Sequence, residues 1–251
     1  MTATGDLPRA HRGLIDDLRA ALVAQGDPER AVRMQTYMKS AVPFHGVPAP
    51  AVAAIERDVF PRHPLADYDT WRDTVLALFR EGGHREEWYA AVALADHRHY
   101  RAHAREQRAL EVYEELVVTA AWWDVVDTVA GHLLGGLHAA HPAWMALEMR
   151  AWASDASMWK RRAAILSQLQ RKDETDLRLL YACIEANLPG TAVGGEFFIQ
   201  KAIGWALRQV AWRDPGGVVR YVEANRERLS RLSKREALKN VLKSGEISAI
   251  P

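Results

Sequence analysis

The sequence predicts an all-α fold, and three observations support that class. Apolar residues recur three and four positions apart along most of the chain, which is the spacing of one helix face. No segment shows a sustained alternation of apolar and polar residues, so strand signals are almost absent. The sequence also contains no Asn-Gly or Asp-Gly hairpin turn. We therefore expect roughly twelve helices with short loops, forming a single domain over residues 1–251.

Helix starts and helix breaks divide the chain into these elements. Asp27-Pro28-Glu29 places a capping carboxylate before a proline at the first helical position. Asp155 and Asp214-Pro215 predict similar starts. Proline and glycine interrupt the helical pattern at residues 43–50, 81–84, 189–195 and 215–217.

Four helical segments open with an aromatic residue at a nearly constant interval. Trp88, Trp123, Trp159 and Phe198 are separated by 35, 36 and 39 residues, and an Ala- or Val-rich stretch follows each of them. Helix-pair repeats have periods of about 34 to 47 residues. Because one helix pair cannot bury its own apolar face, such pairs stack into a curved solenoid with a concave surface. The alternative is chance spacing in an Ala-rich helical bundle.

Charged residues are expected to form a row on this stack. One turn after each aromatic residue, the same helix face carries Ala91, Asp127, Arg162 and Lys201. Three of these four are ionisable, which favours a groove over a core. The alternative is that they point to solvent on the convex face, although exposed tryptophans beside them would be unfavourable there.

The composition excludes several classes of protein. The single cysteine excludes an internal disulfide framework and a cysteine-rich zinc or iron–sulfur site. No apolar run approaches the ~18–20 residues of a membrane span, and the first residues lack the apolar core of a secretory signal. We therefore expect a cytoplasmic protein, and the Ala- and Arg-rich usage favours a bacterial source.

Charge is distributed unevenly along the chain, although the net charge is only +1. Residues 1–150 contain 16 Lys and Arg against 21 Asp and Glu, whereas residues 151–251 contain 17 against 11. A basic C-terminal part suits a polyanion such as nucleic acid. It also suits the solvated faces of ordinary helices.

Four sequence blocks, in a fixed order, carry a resemblance to a known family. They are Tyr37-Met38-Lys39 followed by Pro43-Phe44-His45-Gly46-Val47, then Trp122-Trp123-Asp124-Val125-Val126-Asp127, then WKRRAAIL at 159–166, and EFFIQKAIGWALR at 196–208. A further segment, SKREALK at 233–239, is similar to the family's C-terminal end. On these blocks the sequence resembles the DNA alkylation repair family of HEAT-like helical-repeat DNA glycosylases, the AlkD-like enzymes. Residues 1–30 carry no such signature.

The resemblance implies a fold, an activity and a partner. The fold would be an α-α superhelix of HEAT-like repeats, C-shaped, with double-stranded DNA in the concave groove. The activity would be hydrolysis of the N-glycosidic bond of cationic alkylated purines, such as N3-methyladenine and N7-methylguanine, leaving an abasic site. Members are described as acting without swinging the lesion into a base pocket. We expect a monomer without metal or cofactor.

The resemblance also implies individual site residues. The family's catalytic aspartate matches Asp127, and its two groove tryptophans match Trp123 and Trp205. The family's arginine, before Ala-Ala-Ile-Leu, matches Arg162. Beside the resemblance, we predict DNA-binding residues at Arg162, Lys201, Arg208 and Tyr37. For Lys201 and for the C-terminal cluster Lys234, Arg235 and Lys239, solvated surface is the equal alternative to phosphate contact. Pro48 stands where some members carry a polar residue.

Elementary chemistry is consistent with this assignment. An alkylated purine is cationic and leaves as a neutral base, so no strong general acid is required. The sugar becomes oxocarbenium-like in the transition state. An ionised Asp127 near the anomeric carbon would stabilise that cation and orient the attacking water. Asp124 is the alternative carboxylate, and the sequence shows no obvious second one.

Two other functions and several weaker signals stay open. The chain could be a relative that binds DNA structures without excising bases, or a helical-repeat scaffold for a protein partner. His97, His99 and His103 include an i, i+4 pair that could face a metal ion, but scattered surface histidines are favoured. Gly204 interrupts a helix and indicates close approach by a neighbouring helix or by DNA.

Overall fold

The computed structural model describes residues 7–250, and it contains no β-strand in that part of the chain, so the all-α prediction is confirmed. Its helices are α1 Arg12–Ala24, α2 Pro28–Met38, α3 Ala49–Arg62, α4 Tyr68–Arg80, α5 Arg85–Ala95, α6 Arg101–Ala104, α7 Ala109–Ala120, α8 Trp123–Thr128, α9 Gly135–Ala140, α10 Pro142–Trp152, α11 Met158–Leu166, α12 Leu177–Glu185, α13 Phe197–Ala211, α14 Pro215–Ala224 and α15 Arg231–Ser244. Short 3-10 turns occupy Arg98–Tyr100 and Lys172–Glu174. Over the described residues, none of the helices has the length and apolar character needed to cross a bilayer.

The count of helices exceeds the expected twelve because some are very short. The described residues form fifteen α-helices, of which α6 has four residues and α8 and α9 have six each. A π-helical turn, Val129–Leu134, connects α8 directly to α9. Apolar periodicity cannot separate elements of four to six residues, since they span less than two turns.

Two of the three predicted helix starts are confirmed, and one is wrong. The Asp27 carboxylate accepts from the Arg30 amide with proline at the first helical position, and Asp214 caps α14 in the same way. Asp155 does not cap α11. The cap is Ser157, and Asp155 instead accepts from the Ser157 amide at 2.8 Å, outside the helix. The helix cap therefore lies two residues after the predicted position.

The described chain divides into two compact units, with the boundary between Val112 and Tyr113 inside α7. In the first unit, α1 packs on α3 and α4, and α5 packs on α3 and α4. In the second unit, α11 packs between α8 and α13, and α13 packs extensively on α15. The single domain over residues 1–251 and the C-shaped course stay predictions.

The repeated aromatic residues mark true helix starts. Trp123 begins α8, Trp159 is the second residue of α11, and Phe198 is the second residue of α13. Trp88 is the fourth residue of α5, in the first unit. Because α8, α11 and α13 pack in succession, three of the four repeat positions lie on neighbouring helices.

At Gly204 the helix α15 approaches α13 closely. A Cβ atom at this position would lie 2.5 Å from the Glu236 Cβ and 2.9 Å from the Ser233 carbonyl oxygen. Of the two expected explanations for this glycine, the structure supports the neighbouring helix.

Gly204→Ala is therefore expected to destabilise the protein by about 1–3 kcal/mol, because overpacking outweighs the ~1 kcal/mol gain in helix propensity. Urea unfolding measures this difference. Gly136→Ala in α9 is the matched control, since a Cβ there meets nothing within 4 Å. A Gly204→Ala variant as stable as the Gly136→Ala variant would contradict the steric explanation.

Glu56 on α3 makes the free energy of unfolding depend on pH. Burial raises its pKa to about 7, with Arg57 opposing the rise. A carboxyl with a raised pKa binds its proton more tightly when folded, so this contribution is fully present below pH ~4.5 and is lost as the pH rises through 7.

We expect Glu56→Gln to stabilise the protein at pH 8 by on the order of 1–3 kcal/mol and to have little effect at pH 4.5. Urea unfolding of both proteins at the two pH values gives the difference. A difference that is the same at both pH values would show that the Glu56 charge is not responsible.

Candidate active site

A cavity of about 300 Å³ in the second unit brings together six of the seven predicted site residues. It is lined by Trp123, Asp127, Arg162, Phe197, Phe198, Lys201, Trp205, Arg208 and Glu236. A second cavity in this unit, of about 350 Å³, is lined by residues that include Gln168, Trp212 and Arg213, and it contains none of the predicted site residues. The smaller cavity is therefore the candidate active site.

The centre of this cavity is a two-pronged ion pair between neighbouring helices. Asp127, one turn after Trp123 on α8, accepts from Arg162 on α11. Arg162 Nε lies 2.7 Å from Oδ1 and Nη2 lies 2.8 Å from Oδ2. The remaining guanidinium nitrogen, Nη1, donates to the Phe198 carbonyl at the start of α13. The Arg162 side chain thereby connects α11 to α8 and α13, both of which pack on it.

Burial and Arg162 shift the pKa of Asp127 in opposite directions. The Asp127 side chain is 13% exposed and the Arg162 side chain 5% exposed. Burial raises the pKa of Asp127 above its usual range, Arg162 lowers it through hydrogen bonds and charge, and Asp124 adds a small rise. The fork of Arg162 therefore limits the cost of holding this anion away from water.

Arg162 has a different environment from the one expected of a phosphate-binding residue. Its three nitrogens are engaged by Asp127 and the Phe198 carbonyl, and the residue is buried. A role in positioning Asp127 accounts for these contacts directly. The predicted phosphate contact would have to use the remaining N–H groups.

Asp124, the alternative carboxylate, does not line the cavity. Its Oδ1 accepts from the Val125 amide at 2.9 Å, in the first turn of α8. This contact is local to the helix start.

Aromatic side chains form two walls of the cavity. Trp123 and Trp205 are both partly exposed and line it from α8 and α13. Phe197 is 58% exposed, whereas Phe198 packs against Trp122 and Trp159 at centroid distances of 5.4 and 5.2 Å. One phenylalanine thus reaches solvent, whereas the other is half-buried between the cavity and two tryptophan rings.

A second carboxylate lines the cavity, so the expectation of none is wrong. Glu236 on α15 lies with Oε1 3.0 Å from Lys201 Nζ and with Oε2 2.7 Å from Arg208 Nη1. Burial works to raise its pKa, but the hydrogen bonds from Lys201 and Arg208 outweigh burial and lower the pKa. Glu236 is part of the SKREALK segment, yet only the contact of α15 with α13 at Gly204 brings it here.

The remaining predicted residues lie elsewhere. Tyr37 is on α2 in the first unit, 78% exposed, and does not line the cavity. Pro48 is the residue before the first turn of α3. Lys234, Arg235 and Lys239 on α15 do not line the cavity, and Lys234 Nζ donates to the Arg226 carbonyl at 3.1 Å.

The π-helical turn Val129–Leu134 starts two residues after Asp127. Single π turns inside α-helices are rare and are frequent at functional sites. The sequence did not predict this turn. A single π turn shifts the helical register by only a fraction of a turn, so the apolar spacing around it still reads as a helix.

Fold and cavity define an all-helical protein with a charged and aromatic site built on successive helices. The sequence matches the family model described as DNA alkylation repair enzyme over residues 18–241, and the chain belongs to that family. A solved structure described as a predicted DNA alkylation repair enzyme from Enterococcus faecalis is similar to it, with a TM-score of 0.77 and 30% identity. The alignment covers 87% of this chain and 98% of that one. No curated protein sequence matches significantly.

The family resemblance and the helical-repeat fold class are thereby confirmed, and membership supports a role in the repair of alkylated DNA. The match begins at residue 18, so the signature-free stretch 1–30 is partly inside the family region. That agrees with α1, whose Leu14, Ile15, Leu18 and Leu22 are completely buried.

Proposed function

We propose that this protein is a DNA glycosylase that excises cationic alkylated purines, of the N3-methyladenine and N7-methylguanine type, from double-stranded DNA. It would leave an abasic site for base excision repair in a bacterial cytoplasm and would act as a monomer. The observation that carries this proposal is the Asp127 carboxylate, held by two donors of Arg162 in a cavity flanked by Trp123 and Trp205.

The proposed reaction needs no acid catalyst, because the alkylated base leaves as a neutral molecule. The bond between C1′ and the purine nitrogen breaks, and its electron pair neutralises the positive charge of the alkylated base. C1′ and the ring oxygen then share the positive charge, which the Asp127 carboxylate stabilises electrostatically. Water adds to C1′ with one proton passing to Asp127 or to solvent, so that the products are the free base and an abasic sugar.

The aromatic walls suit a charged nucleotide. Indole faces attract cations, and the effect increases where water is excluded. Trp123 and Trp205 both expose part of their surface to the cavity, and each indole can also donate its N–H to a phosphate oxygen. The exposed Phe197 extends this surface at the cavity edge.

Lys201 and Arg208 are placed to hold the DNA backbone. The Lys201 side chain is 38% exposed and uses one of its three donors on Glu236. Arg208 is more buried and is fixed by Glu236. Such cations position DNA and contribute affinity that falls as salt rises, but they read no sequence.

The proposal is tested by incubating the full-length protein with a duplex that carries N7-methylguanine. Free base is quantified by mass spectrometry, and abasic sites are cleaved with alkali. We expect both products from the methylated duplex and neither from the unmodified one. Duplex binding at low salt without base release would favour a non-excising DNA-binding relative. Absence of binding would favour a protein scaffold.

A further inference from the structure

Three potential metal ligands converge in the first unit, apart from the candidate active site. His45 lies in the connection between α2 and α3, His84 is the residue before α5, and Glu87 is in the first turn of α5. One ligand atom from each residue lies within 4.8 Å of the other two. The proposed glycosylase reaction uses none of these side chains.

The loop that carries His45 is rigidly held. The fully buried Glu86 carboxylate accepts from the amides of His45, Gly46 and Val47 at 2.9, 2.9 and 3.1 Å. The His45 carbonyl accepts from the Asp27 amide at 2.9 Å. Gly46 has φ +84°, and a Cβ there would overlap the Asp27 carbonyl oxygen. The loop therefore presents the His45 ring in a fixed position.

The ligand atoms have unused coordinating capacity. His45 Nε2 is buried, its side chain is only 8% exposed, and its one polar neighbour among the contacts described is the Glu87 carboxylate, at a distance longer than a well-formed hydrogen bond. His45 Nε2 and His84 Nδ1 each lie 3.4 Å from the same oxygen, Glu87 Oε1. The other oxygen, Oε2, accepts from Arg19 Nε at 2.7 Å.

The two separations from the Glu87 oxygen match a tetrahedral zinc site, and the two nitrogens lie within 4.8 Å of each other. Zinc bonds to histidine nitrogen and carboxylate oxygen are about 2.0–2.2 Å long, which places adjacent ligand atoms roughly 3.3–3.6 Å apart. A ligating carboxylate commonly has its second oxygen fixed by a donor, as Arg19 does here.

We propose that His45 Nε2, His84 Nδ1 and Glu87 Oε1 form a binding site for a divalent transition metal of the zinc class. Water would take the fourth position. The two imidazole rings are stacked with centroids 3.7 Å apart, so the His84 ring tilts away from the stack when the metal binds. Its side chain is 36% exposed and has room for that movement. The sequence predicted no metal, and the fold alone brings these ligands together.

The site joins the loop between α2 and α3 to the start of α5. A metal that binds the folded state preferentially stabilises it. This consequence is independent of the proposed function, because no ligand lines the active-site cavity.

The test is calorimetric titration of Zn²⁺ into the full-length protein after treatment with a chelator. We expect one equivalent to bind, and we expect Tm to rise by about 5–10 °C at a hundredfold excess over Kd. Co²⁺ should give the intense visible absorption of a four-coordinate site. His84→Gln, at a half-buried residue whose side chain does not cap α5, should weaken Zn²⁺ binding at least tenfold and abolish the Co²⁺ band.

His99→Gln is the matched control, since His99 is exposed and belongs to the other histidine group. It should retain wild-type Zn²⁺ affinity and the Co²⁺ band. The proposal is overturned if wild-type protein binds less than one equivalent, or if His84→Gln binds Zn²⁺ as tightly as wild type. Circular dichroism of each variant without metal establishes that a loss of binding is not a loss of folding.

Discussion

Asp127→Asn is expected to slow base release from N7-methylguanine DNA by about 10²–10³. The amide has the shape of the carboxylate but carries no charge, so it cannot stabilise the oxocarbenium-like sugar. Single-turnover kinetics with enzyme in excess measures the chemical step directly. Duplex binding should change little, because Asp127 is a buried anion and contributes no attraction to phosphate.

Asp124→Asn is the matched control for this result. It removes a carboxylate from the same helix, but Asp124 does not line the cavity. We expect a rate within a few-fold of wild type. If Asp127→Asn releases base as fast as Asp124→Asn does, the electrostatic role of Asp127 is wrong.

The pH profile gives a second readout of the same residue. The reaction requires ionised Asp127, whose pKa is raised by burial. The rate should therefore fall as the pH decreases through this raised pKa, at a higher pH than for an ordinary aspartate. The residual rate of Asp127→Asn should lack this acidic decline.

Arg162→Met is expected to have the second-largest effect, on both stability and rate. Removing one partner of a buried ion pair leaves an uncompensated charge and costs about 3–5 kcal/mol. Without the arginine, its hydrogen bonds and its charge no longer oppose the effect of burial on Asp127, so the pKa of Asp127 rises further. Base release should fall at neutral pH, and the acidic decline should move to higher pH.

Arg162→Lys separates the two contributions of this arginine. Lysine keeps a positive charge near Asp127 but lacks the planar fork that reaches both carboxylate oxygens and the Phe198 carbonyl. We expect the lysine variant to show a smaller shift in the pH profile than the methionine variant, with part of the stability lost. Identical pH profiles for the two variants would contradict a role of the Arg162 charge in keeping Asp127 ionised.

Local spacing was sufficient to predict the central part of the candidate site. Trp123 and Asp127 are four residues apart on one helix, and Arg162 and Lys201 occupy similar turns of the next two repeats. A regular repeat converts sequence position into spatial position, because each helix pair packs on its neighbours. For that reason these residues meet at one cavity as the spacing indicates.

Features that depend on contacts between distant segments could not be predicted. Glu236 reaches the cavity because α15 approaches α13 at Gly204, and the sequence showed only that something approached there closely. His45 and His84 are far apart in sequence and share no helical register, so their juxtaposition needs the folded first unit. The error at Asp155 is local, since Ser157 competes for the same helix start.

Every charged group of the two ion-pair clusters in the cavity has an oppositely charged partner within the protein. This arrangement has a consequence for how the enzyme would distinguish damaged from normal DNA. Asp127 is satisfied by Arg162, and Glu236 by Lys201 and Arg208. Such preorganisation reduces the reordering required at the moment of reaction. Under the proposed function, selectivity would then come from the lability of the lesion itself: a purine that carries a positive charge departs readily, whereas an ordinary purine stays bonded beside the same carboxylate.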